Sequence, residues 1–128
     1  MATNHICVWI DHSEAKIFSL SRDQSDEMVL HDAHAPRHIH RKADHLHLGK
    51  TPPDQAFFEE IAAALQGAKG IAIVGPGTAR TELAGYLAEH RPLIGKRVWG
   101  IEAMDHPTDG QIAASARKFF AAADRMHG

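Results

Sequence analysis

The sequence predicts an α/β domain built on a five-stranded mixed sheet. Three observations lead there: two β-branched apolar runs near the N-terminus separated by a short polar turn, a change to helical period after Thr51, and two later apolar strands each followed by an amphipathic segment. A chain of 128 residues is long enough for one core, so a single domain over residues 1–128 is expected. The 44% hydrophobic and 23% charged fractions are those of a globular protein and exclude disordered and fibrous classes.

Ile6-Cys7-Val8-Trp9-Ile10 is apolar at every position and reads as a strand buried on both faces, in the middle of a sheet. Asp11 to Glu14 is a hairpin turn, and Ala15-Lys16-Ile17-Phe18-Ser19-Leu20 returns antiparallel. Glu27 to His31 forms a third strand at the sheet edge, where it could pair two chains or be kept from doing so by its charges. Thr51 caps a helix with Pro52 in its first turn; Phe57, Phe58, Ile61 and Leu65 form its buried face, and Gly67 ends it. Ile71 to Val74 is a buried strand ending in Gly75-Pro76-Gly77, and Leu83, Tyr86 and Leu87 mark the inner face of a second helix, which Pro92 and Gly95 close. Residues 97–101 supply a fifth strand. Thr108 and Gln111 have capping-box spacing for a last helix with Ile112, Ala116, Phe119, Phe120 and Ala123 along its stripe. The order βββαβαβα, with right-handed crossovers between parallel strands, arranges the sheet as 3-2-1-4-5 with three helices, the ribonuclease-H-like arrangement.

No apolar run reaches the roughly 18 residues that span a bilayer, and the first residues lack a signal-peptide layout, so a cytoplasmic protein without membrane contact is expected. The single cysteine, Cys7, lies within the first strand and is expected to be an inert buried hydrophobe. A net charge of −2 provides no global field for nucleic acid, so any phosphate contact must be local.

Asp11, Glu102 and Asp105 fall near strand ends, where a metal-dependent nuclease would hold its carboxylates. The fourth strand ends without an acid, however, and turn stabilisation explains Asp11 more simply. Gly75-Pro76-Gly77-Thr78 joins a strand to a helix but has neither dinucleotide-fingerprint nor P-loop spacing; a tight turn with Thr78 as helix cap accounts for it.

The richest segment is 31–50. Of the eleven histidines, His31, His34, His38, His40, His45 and His47 lie there, together with Arg37, Arg41, Lys42 and Lys50. The pairs His38-x-His40 and His45-x-His47 could ligate a divalent transition metal, although no cysteine pair completes a structural zinc site and no cofactor is otherwise expected. The four cations could instead contact phosphates, with the histidines adding charge as pH falls, or form a solvated basic loop.

Val8-Trp9-Ile10-Asp11, Glu14-Ala15-Lys16-Ile17-Phe18, Pro36-Arg37-His38, His40-Arg41-Lys42, Ile73-Val74-Gly75-Pro76-Gly77 and Thr81-Glu82-Leu83 together resemble the middle domain of archaeal and eukaryotic class 1 peptide-release factors, Pelota and their bacterial relatives. The resemblance covers nearly the whole chain. It implies a ribonuclease-H-like translational machinery component and a partner in the ribosome or tRNA. Release factors carry a Gly-Gly-Gln loop after the third strand that helps water attack the peptidyl-tRNA ester; here that region reads His40-Arg41-Lys42-Ala43-Asp44. Hydrolase activity is therefore not expected. The resemblance leaves a free-standing, non-catalytic relative that meets RNA through Arg37, Arg41, Lys42 and Lys50.

Overall fold

A computed structural model describes residues 5–21, 25–31 and 55–127. Five strands, β1 (His5–Ile10), β2 (Glu14–Leu20), β3 (Ser25–His31), β4 (Gly70–Gly75) and β5 (Val98–Ala103), form one sheet in the order β3-β2-β1-β4-β5. β1 pairs antiparallel with β2 and parallel with β4; β2 pairs antiparallel with β3, and β4 parallel with β5. The expected strand order is thus observed. Apolar runs that leave no polar face, as in β1 and β4, can be accommodated only at the sheet centre, where helices cover both sides.

Helices α1 (Gln55–Ala64), α2 (Ala79–His90) and the single turn α3 (Pro92–Gly95) lie against one face, and α4 (Asp109–His127) against the other. Strand alternation divides the core accordingly. Ile6, Val8, Ile10, Ile71 and Ile73 pack with Phe57, Ile61, Leu83, Leu87 and Ile94; Cys7, Trp9, Phe18, Ala72 and Val74 pack with Ile112, Ala116 and Phe120.

The expected capping box is present: Gln111 N–H donates to Thr108 Oγ1 at 3.1 Å and Thr108 N–H to Gln111 Oε1 at 2.9 Å. Three expectations need correction. Pro92 and Gly95 do not simply close α2. They bound a separate turn, α3, because Pro92 pre-sets a helical φ and Gly95 packs so close to α2 that a Cβ there would lie 3.0 Å from Ala88 Cα. Among the described residues there are therefore four helical segments rather than three. The fifth strand runs to Ala103 rather than Ile101: at the sheet edge it needs no continuous apolar run, and a register shift between Ile71 and Ala72 leaves Trp99 as an extra residue within it. Thr78 occupies the N-cap position of α2 but makes no side-chain cap; its hydroxyl donates to Glu82 Oε2 at 3.0 Å instead.

Candidate functional site

In open α/β sheets the crevice beyond the carboxyl ends of the parallel strands is the usual place for a ligand. Here that end is formed by the β1–β2 turn, the β4–α2 turn and residues 104–108 between β5 and α4. β3 also finishes there, since His31 lies opposite Glu14. α1 starts there as well: Gln55 and Glu82 line one shallow hollow. His31 at the end of β3 and Gln55 at the start of α1 are therefore both at this end.

The turn after β1 is built by Asp11. Its Oδ1 accepts from Ser13 N–H at 2.8 Å, Ser13 Oγ–H at 3.2 Å and Glu14 N–H at 2.9 Å, the self-satisfying role expected of an aspartate in a turn. The β4–α2 turn requires glycine. Gly75 has φ +147°, and a Cβ there would lie 2.1 Å from the Ile10 carbonyl oxygen; Gly77 has φ +64°. Arg80 closes this turn by donating to the Gly75 and Gly77 carbonyls.

His106 is the residue that sequence reasoning missed. Its Nε2 is 4.0 Å from Asp11 Oδ2, its Nδ1 is 3.9 Å from Asp105 Oδ1, and its ring meets the Trp9 indole edge-on at 5.2 Å. These are ion-pair separations beyond hydrogen-bond length. Two more histidines face carboxylates nearby: His12 Nε2 is 3.6 Å from Glu82 and His31 Nδ1 is 3.8 Å from Glu14. Beside them Lys16 Nζ donates to Asp109 Oδ1 at 2.9 Å and lies 5.6 Å from the Trp9 ring centroid. The hydrogen bond from Lys16 holds the Asp109 carboxyl below its usual range, while burial and the neighbouring Asp109 push Glu27 up. The result is an acidic rim whose histidines sit opposite carboxylates.

Asp11 is thus committed to its turn, Asp105 is exposed, and Glu102 lines another place, a cavity of about 20 Å³ with Cys7, Ser115 and Phe119. Among the described residues no three His, Cys, Asp or Glu side chains stand close enough to hold a metal ion. At Cys7, burial and then the Glu102 charge push the thiol up to about 12. The residues singled out for phosphate or metal binding, Arg37, Arg41, Lys42, Lys50, His38, His40, His45 and His47, lie outside the described residues.

The fold and this end of the sheet define an α/β domain with a mixed 3-2-1-4-5 sheet helically covered on both faces. Solved structures similar to it include Pelota from Archaeoglobus fulgidus, at TM-score 0.61 and 16% identity over 92% of this chain and 32% of that one. They also include Pelota from Thermoplasma acidophilum (TM-score 0.59, 23% identity, 84% and 30%) and an archaeal protein (TM-score 0.59, 15% identity, 96% and 38%). At these identities the likeness establishes a Pelota-domain-like fold, and the chain spans about a third of the length of these structures. No protein-family model matches the sequence, and no curated protein matches it. No helix among the described residues is long and apolar enough to cross a membrane.

Proposed function

We propose that this chain is a non-catalytic, translation-associated module that contacts the ribosome or tRNA through Arg37, Arg41, Lys42 and Lys50. The observation that carries this reading is the Pelota-like fold over 84–96% of the chain. Two features of the chain support the rest: a basic, histidine-rich segment between β3 and α1, and the sequence His40-Arg41-Lys42 where release factors carry Gly-Gly-Gln. The segment keeps cations for phosphate but lacks the glycines and the glutamine amide on which the release-factor reaction relies.

Fluorescence anisotropy of the labelled chain, titrated with tRNA and with ribosomes across a salt series, tests the reading. Saturable binding whose logarithm falls linearly with log salt, and which collapses when all four cations become alanine, supports it. Absence of binding at low salt contradicts it. A second reading, a transition-metal site at His38, His40, His45 and His47, rests on the two His-x-His spacings. It requires stoichiometric metal that survives dialysis and disappears in His38→Ala/His40→Ala.

A further inference from the structure

The opposite end of the sheet gathers a group of exposed cations. Lys69 immediately precedes β4, Lys96 and Arg97 precede β5, and Arg91 caps the C-terminus of α2. All four are exposed. The end described above carries Asp11, Glu14, Glu82, Asp105 and Asp109 with Lys16 and Arg80 among them, whereas at this end the acids include Glu59 and Asp124, which pair with Arg91 and Lys69.

The cations are held on a rigid platform. Ile94 is buried, Gly95 lies against the Ala88 backbone, and the turn is closed by Ile94 N–H and Gly95 N–H to the Arg91 carbonyl at 2.9 and 2.8 Å and Lys96 N–H to Pro92 at 3.0 Å. Arg97 is anchored twice, through its carbonyl to Ile71 N–H at 2.9 Å and through Nη1 to the Ala68 carbonyl at 3.2 Å. Arg91 shares its charge with Glu59 and Lys69 with Asp124, whereas Lys96 and Arg97 have no ion pair among the described residues. Between them Leu93 stands 72% exposed. A fixed group of cations around an apolar tip, at the pole facing away from the acidic rim, fits a polyanion that meets the domain end-on.

We propose that Arg91, Lys96 and Arg97, presented by α3 and the start of β5, form a second RNA-backbone contact, separate from the segment between β3 and α1. The proposal rests on the translation-associated reading and adds to it a second point of attachment. The shared ligand chemistry is the phosphodiester backbone, from tRNA or from ribosomal RNA.

The test is the anisotropy salt series repeated with Lys96→Gln/Arg97→Gln, with tRNA, deproteinised ribosomal RNA and intact ribosomes as separate probes. Unfolding curves establish that the variant is folded, and Arg97→Lys retains the charge while losing the planar fork. The expected result is weaker binding and a log–log salt slope flattened by about 1.5, because two phosphates are no longer neutralised and each accounts for roughly 0.7–0.9 of the slope. Arg97→Lys should recover most of that slope. The probe whose affinity falls identifies the RNA. Unchanged affinity and slope in the folded double variant overturn the proposal while leaving the functional reading intact, provided the variant lacking Arg37, Arg41, Lys42 and Lys50 still loses binding. If that variant binds normally and the Lys96/Arg97 variant does not, the proposal stands and the first contact is misassigned. Loss confined to intact ribosomes, with both free RNAs unaffected, points to an acidic protein partner and overturns it. If the wild-type chain binds none of the probes, both readings fall.

Discussion

The Trp9 indole N–H donates to the backbone carbonyl of Asp105 at 2.8 Å, joining the end of β1 to the loop after β5 across 96 positions of sequence. Trp9 is 2% exposed, so its donor has no water to turn to, and the bond fixes the loop that carries His106. Trp9→Phe keeps most of the ring but removes the donor. It should cost about 1 kcal/mol in urea unfolding and release the His106 imidazole, seen as line narrowing of its ring protons.

The two glycines of the β4–α2 turn should respond differently to alanine. At Gly75 the new methyl meets the Ile10 carbonyl oxygen as well as an unfavourable φ, so Gly75→Ala should cost roughly 3 kcal/mol or more. At Gly77 nothing lies within 4 Å of the Cβ position, and Gly77→Ala should cost only the left-handed conformation, roughly 1–2 kcal/mol. Chemical denaturation of the pair measures the difference. Equal losses would mean that β1 and the turn do not approach as closely as described.

Acid should weaken the domain partly through Asp124. Burial alone would raise its carboxyl, but the Lys69 ammonium 3.3 Å away, with His5, outweighs it and holds the group below the usual range. A depressed native value means the stabilisation is fully present above the unfolded-state value near 4 and is lost as pH falls through the native one. Asp124→Asn should therefore lower the urea midpoint at pH 7 and show a smaller further loss between pH 5 and 3. Glu27 has the opposite sign. Its raised value means that ionisation at neutral pH works against folding, so Glu27→Gln should raise the midpoint at pH 7 and leave it little changed at pH 3.

Cys7 should behave as a core residue. With its thiol pushed up to about 12 and 1% exposed, it should resist alkylation at pH 8 in the native protein and react promptly in urea, as mass spectrometry would record.

Much of the architecture was legible in local pattern. The apolar runs of β1 and β4 had to be central, Thr108 and Gln111 announced α4, and helical spacing from Phe57 to Leu65 marked the buried face of α1. What stayed hidden depends on tertiary neighbours. β5 is half-exposed, so its end at Ala103 has no apolar signature, and α3 hides in residues that equally suit a helix end. Thr78 has the right residue type and position for a cap, yet Glu82 one turn later takes its hydroxyl. His106 was unreadable because nothing in Asp105-His106-Pro107 indicates that Asp11 and Trp9 come alongside. The cations of the 31–50 segment were visible in composition, whereas those flanking α3 became a group only when Lys96 and Arg97 were brought to one end of the sheet with Arg91.

The most direct measurement of the central claim is ribosome co-sedimentation at low and moderate salt. It would compare the intact chain with Arg37→Ala/Arg41→Ala/Lys42→Ala/Lys50→Ala, both shown to be folded. The account predicts saturable pelleting of the intact chain that weakens with salt and is largely lost in the variant. A chain that stays in the supernatant at low salt, or a variant that pellets as well as the parent, would contradict it.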